Sequence, residues 1–140
     1  MPQTVAKLQF RMGEHKTERT LKALNRTRGT VLCERLEVAE SMAAQSRGLL
    51  GRDGLASGAG MLFEGSRLLP LMWMHMFFMR FAIDIVFLDQ SNRVLRINHN
   101  LKPWRVSSMV FGARRALELE AGAAARSGTA EGDQLELCPV

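Results

Sequence analysis

Asp84 is the residue that most clearly places a reactive side chain in an apolar stretch of this sequence. It lies between Phe81 and Leu88, where the neighbouring residues are almost all apolar. A carboxylate buried there costs several kcal/mol unless a cation or hydrogen-bond donors stabilise it. We expect Arg80 or Arg47 to pair with it. Two interpretations are open: an internal ion pair or turn cap at the start of a strand, or a pocket carboxylate that acts as a base or anchors a ligand.

His75 is the second candidate, because imidazole is suited to acid–base catalysis near neutral pH. It interrupts an apolar run over residues 71–79, which we predict to be buried on both faces. On a strand it would share one face with Trp73, Phe77 and Met79. One interpretation is a hydrogen-bonded core histidine. The other is a general acid or base at the edge of a cavity.

Met72, Met74 and Met76 surround His75 in sequence and raise the question of a copper(I) site. Thioether and imidazole ligands suit that ion. Residues two apart on a strand are separated by about 7 Å at Cα, so their sulfurs would need strained side chains to reach one ion. Methionine also fills irregular cores well. We therefore predict that these methionines pack in the core, and we predict neither a metal nor a cofactor.

Trp104 is the centre of an exposed cluster in the loop Lys102-Pro103-Trp104-Arg105. A tryptophan beside two cations can stack on a planar or anionic ligand. It can equally fold onto the rim of the domain with its indole N–H hydrogen-bonded. Arg47, Arg80 and Arg105 would form an anion-binding mouth if the fold brings them together.

Length and composition limit the class of protein. The chain has 140 residues, of which 46% are apolar and 24% are charged, which is typical of one globular domain. No apolar run approaches the roughly 20 residues of a membrane helix, and the N-terminus lacks the apolar stretch of a secretory signal, so we expect a cytoplasmic protein. Cys33 and Cys138 are predicted to be reduced, buried thiols. No nucleophile elbow and no phosphate-binding glycine loop is present, so triad and P-loop chemistry are not expected.

The positive charge is concentrated at the N-terminus. Residues 1–30 hold seven Lys and Arg against two Asp and Glu, whereas the other 110 residues hold twelve of each sign. We predict a basic, partly ordered extension over residues 1–19 and a single β-rich domain over residues 20–140. A basic arm can bind phosphate backbones, but the mixed signs favour a solvated extension, so nucleic acid is not the partner we expect.

Short apolar segments separated by glycine-rich turns predict a mainly β fold. One short helix is expected near residues 41–48, with Ser41 as its N-cap and Gly48 at its end. A glycine- and alanine-rich link is expected before the last strand. The fold class is a compact sandwich or a partly closed, jelly-roll-like barrel with one short helix. We expect strands at residues 20–24, 30–39, 61–63, 83–89, 94–97, 116–120 and 134–138.

Several motifs follow one another in an order that a known family shares. They include Arg47-Gly48-Leu49-Leu50-Gly51-Arg52, Gly60-Met61-Leu62-Phe63, Phe78-Met79-Arg80-Phe81, Ile83-Asp84-Ile85-Val86-Phe87-Leu88-Asp89, Leu101-Lys102-Pro103-Trp104-Arg105 and Leu117-Glu118-Leu119. From about Leu21 to Leu137 the chain resembles the bacterial and archaeal domain of unknown function 192 (DUF192). Gln45, Met76 and Ala82 depart from the usual pattern. The resemblance implies a compact β-sandwich or jelly-roll-like fold and no established activity.

Two functions are compatible with these residues. The first is a noncatalytic module that binds a small anionic or peptide-like ligand or a protein partner. Its pocket would be lined by Trp73, His75, Asp84 and Trp104, with Arg47, Arg80 and Arg105 at the rim. The second is a small hydrolase or isomerase that uses His75 and Asp84 as acid and base. Catalysis requires those two groups to share hydrogen-bonding reach in an open cavity.

Overall fold

The computed structural model describes residues 19–39, 49 and 51–140. The helix predicted near residues 41–48, Arg47 and the extension up to residue 18 lie outside the described residues. The elements, in chain order, are β1 (Thr20–Asn25), β2 (Thr30–Val38), β3 (Ala59–Glu64), β4 (Leu71–Met72), β5 (Ile83–Leu88), β6 (Val94–Leu101), β7 (Val110–Phe111), β8 (Arg115–Glu120), α1 (Ala123–Ser127) and β9 (Leu135–Pro139).

Seven strands form one curled sheet in the order β6-β5-β8-β3-β2-β1-β9. The pair β2–β3 is parallel and the other pairs are antiparallel. The curl brings the two edges towards each other, since the N–H of Val94 donates to the carbonyl of Asp133 (2.9 Å) and that of Gly132 donates to Val94 (2.8 Å). The sheet is therefore a half-barrel, which confirms the predicted mainly β, partly closed architecture.

The hairpin β1–β2 forms where the sequence predicts it. Gly29 closes the turn in a left-handed conformation with φ 69°, which costs glycine least. The buried Asn25 accepts the N–H of Arg28 within the turn and donates its amide to Thr129 and Asp133. This asparagine therefore joins the hairpin to the segment that precedes β9.

Both faces of the curled sheet are buried, and each has its own core. Val86, Leu88, Leu117 and Leu119 belong to an inner core, which lies inside the curl with β1, β2 and β9. Because side chains alternate along a strand, the residues between them point the other way. This outer core contains Met61, Phe63, Ile83, Ile85, Phe87 and Ala116. All six residues of β5 are consequently buried.

A small second sheet covers the outer core. It pairs β4 with β7 and continues irregularly, through a bridge between His75 and Val106 and a bond from the N–H of Met76 to the carbonyl of Arg105 (2.7 Å). Its inner face contributes Met72, Met76 and Val110 to the outer core.

The outer face of the small sheet is open to solvent. Trp73, His75 and Phe77 are all exposed, so the prediction that residues 71–79 are buried on both faces is wrong, as is the interpretation of His75 as a core histidine. The predicted alternation holds from Met72 to Phe77, but it fails at Phe78, which is exposed, and at Met79, which is in the core. A sequence of apolar residues cannot distinguish a strand covered on two sides from one covered on a single side.

The link before β9 contains α1, a helix that the sequence analysis missed. Gly122 and Gly128 flank it with φ 94° and 69°. Gly122 has no side chain with which to cap the helix, so the capping group comes from another element of the fold. Within the part of the chain that the structure describes, no helix is long and apolar enough to cross a membrane.

Candidate functional site

Five rings on the outer face of the small sheet form a continuous chain, which we call the aromatic surface: Trp73, His75, Phe77, Phe78 and Trp104. The rings of His75 and Phe77 are stacked with centroids 4.9 Å apart, and those of Phe78 and Trp104 are tilted at the same separation. Trp73 lies 6.5 Å from His75, and Phe77 lies 6.3 Å from Trp104. Trp73, Phe78 and Trp104 are 50%, 69% and 59% exposed, so the rings contact one another while remaining open to a partner.

Phe78 and Trp104 are held in a strained backbone conformation. Their φ angles are 64° and 66°, a region that large side chains rarely adopt and that costs about 1–3 kcal/mol per residue. The carbonyl of Met76 fixes both turns, since it accepts the N–H of Met79 (3.2 Å) and of Trp104 (2.8 Å). Met76 and Met79 are buried in the outer core. Core packing therefore sustains the strain that presents the two rings to solvent.

Apolar side chains extend the aromatic surface along the small sheet. Val106, Met109 and Phe111 are exposed in the segment 106–111, which pairs with residues 71–75 through β7 and the bridge at Val106. Leu68 and Leu69 are exposed just before β4. Contiguous apolar patches of this kind are uncommon on isolated proteins and mark places where another molecule binds.

The two segments that carry this surface contain cations and no acids. Residues 65–83 and 101–114, which contain the small sheet, hold five Arg and Lys residues and no Asp or Glu. Arg80 pairs with the exposed Asp53 at 2.9 Å. Lys102 and Arg105 are exposed, and neither has an ion pair with any residue that the structure describes. The predicted position of Trp104 between exposed cations is confirmed.

Asp84 is fully buried, and no arginine among the described residues pairs with it. Its Oδ1 accepts the N–H of Asn100 (2.8 Å), and its Oδ2 accepts those of Gly122 and Ala124 (both 3.1 Å). The predicted ion pair with Arg80 is wrong, because Arg80 pairs with Asp53, and the alternative partner Arg47 lies outside the described residues. The carboxylate does act as a cap, but for the start of α1 and not for the start of its own strand. The Asp84 carboxylate, on β5, caps the N-terminal end of α1, where a negative charge is favourable. Gly122, the residue at that end, has no side chain that could serve as a cap.

The structure does not bring His75 and Asp84 together. Asp84 alternates with Ile83 and Ile85 along β5, so it points to the inner face of the curled sheet. His75 lies beyond the outer core, on the solvent side of the small sheet. Its Nδ1 accepts the N–H of Phe77 at 3.3 Å. The two groups are thus on opposite faces of the main sheet.

The methionines and His75 also lie on opposite faces, in this case of the small sheet. Met72 and Met76 are buried in the outer core and Met74 packs against it, while the imidazole faces solvent. The four side chains of the copper(I) hypothesis therefore do not converge, and the predicted core packing is confirmed. No cluster of His, Cys, Asp and Glu suited to a metal occurs among the described residues.

Glu118 is a candidate that the sequence analysis left aside. It lies on β8 between Met61 of β3 and Ile85 of β5, on the face that the outer core occupies. The residue is 5% exposed and has no hydrogen-bond partner in the described part of the chain. Burial raises the pKa of its carboxyl to about 7, from 4.5. The signal in the sequence was a glutamate flanked by apolar residues in a strand that is buried on both faces.

A model of a known protein family matches nearly all of the β-rich region. The model that describes an uncharacterised conserved family, DUF192, matches residues 23–137, which span all the strands and α1 except the first residues of β1 and the last residues of β9. This chain belongs to the DUF192 family. The resemblance noted in the sequence is thereby confirmed.

Relatives of this DUF192 chain share its fold. A UPF0127 protein of Thermococcus sibiricus is 27% identical over 113 residues, which cover 81% of this chain and 72% of the relative. A crystal structure of a Novosphingobium aromaticivorans protein of unknown function is 28% identical, with a TM-score of 0.69 and coverage of 84% and 83%. A candidate transcription regulator from Sinorhizobium meliloti is 24% identical, with a TM-score of 0.72 and coverage of 85% and 92%. These likenesses establish the architecture of the DUF192 domain.

Proposed function

We propose that this DUF192 chain is a noncatalytic binding module whose aromatic surface contacts an acidic, apolar segment of a protein partner. The observation that carries the proposal is the pair Phe78 and Trp104. Both side chains are exposed although their backbone is strained, and a fold sustains such strain where it presents groups for binding. Aromatic anchors of this type dominate the energetics of protein interfaces.

The charge around the surface supports an acidic partner. Lys102 and Arg105 lie beside the contact between Phe78 and Trp104, and no described acid neutralises them. Complementary charge on a partner would speed association and fix its orientation. Arg80, at the same border, is paired with the carboxylate of Asp53. The positive charge is therefore strongest at the Trp104 end of the surface.

A polypeptide fits this surface better than a nucleic acid strand does. Single-stranded nucleic acids stack their bases on aromatic faces that are free. Here the faces of His75 and Phe77 cover each other, and Phe78 is tilted against Trp104. The aliphatic continuation through Val106 and Met109 offers contacts for apolar side chains instead. The cytoplasmic location expected from the sequence, where Cys33 and Cys138 remain free thiols, belongs to the same proposal.

The test is a selection of displayed random peptides on the folded full chain. We expect the enriched peptides to carry a net negative charge and apolar or aromatic anchors. Their affinity should fall by about tenfold or more in Trp104→Ala and in Trp73→Ala, as is typical for central aromatic anchors.

A matched control is Val31→Ala, which removes an exposed apolar side chain from β2, outside the small sheet. This variant should bind the peptides as the native chain does. The proposal fails if Val31→Ala and Trp104→Ala weaken binding equally, if the selection enriches basic peptides, or if a single-stranded oligonucleotide displaces the peptides and binds more tightly than they do.

A further inference from the structure

A second surface feature lies away from the aromatic rings, where the small sheet joins the curled sheet. It is a cleft of about 540 Å³ lined by Glu64, Gly65, Arg67, Gln90, Arg114 and Arg115. A cleft of this size is within the range of small-molecule sites. Three of the six lining residues are arginines, which the sequence analysis did not single out.

The backbone at the cleft is fixed by a close approach between two segments. The N–H of Gly65 donates to the carbonyl of Arg114 at 2.7 Å, and the N–H of Arg114 donates to the carbonyl of Leu88 at 2.8 Å. A Cβ on Gly65 would lie 2.9 Å from the sulfur of Met72 and 3.3 Å from the carbonyl oxygen of Arg114, so any larger residue would have to displace its neighbours. Arg114 and Arg115 therefore project from the start of β8, whereas Arg67 lies in the connection between β3 and β4.

The charges in the cleft do not balance. Arg115 is neutralised by Glu64, whose carboxylate lies 3.1 Å from its Nε, and it is oriented further by the side-chain oxygen of Asn92 (2.7 Å). Arg67 and Arg114 have no acidic partner among the described residues. Two uncompensated guanidinium groups on one concave surface raise the local positive potential, and this favours an anion.

We propose that this cleft binds a phosphate group. Guanidinium forks match the geometry of phosphate oxygens and can bind them in a bidentate manner. The two uncompensated cations match the charge that a phosphate monoester carries near neutral pH, which is close to −2. Arg115 is already oriented by its partners, and the amide of Gln90 can donate a further hydrogen bond. The inference is independent of the peptide surface, since no lining residue belongs to the aromatic surface.

The experiment is an amide NMR titration of the full chain with inorganic phosphate, at constant ionic strength maintained with chloride. We expect saturable shifts confined to residues 64–67, 90 and 114–115. A parallel titration with glycerol phosphate distinguishes a free phosphate site from one for an organic monoester, according to which of the two binds more tightly.

Two variants test the arginines separately. Arg114→Gln and Arg67→Gln should each weaken phosphate binding by about tenfold, as the loss of a hydrogen bond to a charged group does. Arg67 is exposed, so its variant preserves the fold even if Arg114→Gln does not. Arg96→Gln is the charge-matched control, because Arg96 is exposed and its ion pair with Glu131 is a loose 3.8 Å.

Three results would overturn the proposal. The first is linear, non-saturating shifts with phosphate. The second is an equal loss of affinity in Arg96→Gln and Arg67→Gln, which would assign the binding to net charge alone. The third is equally tight binding of malonate, which would show a preference for any dianion and not for phosphate.

Discussion

Glu118→Gln should make the protein more stable above neutral pH. In the folded protein burial raises the pKa of this carboxyl to about 7, compared with 4.5 when it is solvated. Between these two pH values the folded state binds more protons than the unfolded state. The stability that this group contributes is therefore complete below about pH 4.5, falls as the pH rises, and is lost above about pH 7.

The magnitude follows from the same two values. Each unit of pKa corresponds to about 1.4 kcal/mol, so a change from 4.5 to about 7 corresponds to about 3 kcal/mol. Glutamine has nearly the same shape and carries no charge at any pH. The free energy of unfolding of Glu118→Gln should thus equal that of the native chain near pH 4.5 and exceed it by about 3 kcal/mol at about pH 8.

Urea unfolding followed by circular dichroism, at several pH values between these limits, measures the difference directly. Glu131→Gln is the control, since Glu131 is exposed and its removal should leave the pH dependence of the native chain unchanged. A Glu118→Gln variant that is less stable than the native chain at about pH 8, or that retains the full pH dependence, would refute the reasoning. Either result would mean that the carboxylate has a stabilising partner.

Three other predictions concern the cap that Asp84 provides, the strained backbone at Phe78 and the close packing at Gly65. Asp84→Ala leaves one buried and two part-buried N–H groups without this acceptor and should cost about 3 kcal/mol. Asp84→Asn, which retains one oxygen, should cost less, and equal urea midpoints of the two variants would contradict this. Phe78→Gly relieves a positive φ of 64°. The free energy of unfolding should stay unchanged or rise by up to about 1 kcal/mol, while the affinity for the peptides falls. A clear loss of stability would show that the ring supports the fold. Gly65→Ala should destabilise by about 1–3 kcal/mol, because the new methyl meets Met72 at 2.9 Å, and a native unfolding curve would contradict the close approach.

The sequence predicts the curled sheet well because its signals are local. The turn at Gly29 and the alternation along β5 and β8 depend only on neighbouring residues, and each strand predicted from such a pattern is present. The short helix α1 escaped detection because Gly122 offers no cap of its own, and the carboxylate that replaces it comes from β5, far away in sequence.

The candidate site depends on which face is covered, and sequence carries little information about that. Trp73 and His75 stand in a run of apolar residues that predicts burial, yet the small sheet leaves their face open. Trp104 could be identified as a candidate without knowing which face is covered, because its cationic neighbours predict that the residue is exposed. Arg80 was wrong as the partner of Asp84 for a related reason: backbone N–H groups satisfy the carboxylate, and they leave no trace in the types of residue nearby.

The indole N–H resonances of Trp73 and Trp104 provide the most direct test of the binding surface. The chain has two tryptophans, and both lie in the aromatic surface, so these two NMR signals report on that surface alone. When a selected acidic peptide is added, both signals should shift together and saturate with the same affinity. If the peptide binds while both signals stay in place, the aromatic surface is not where this chain meets its partner.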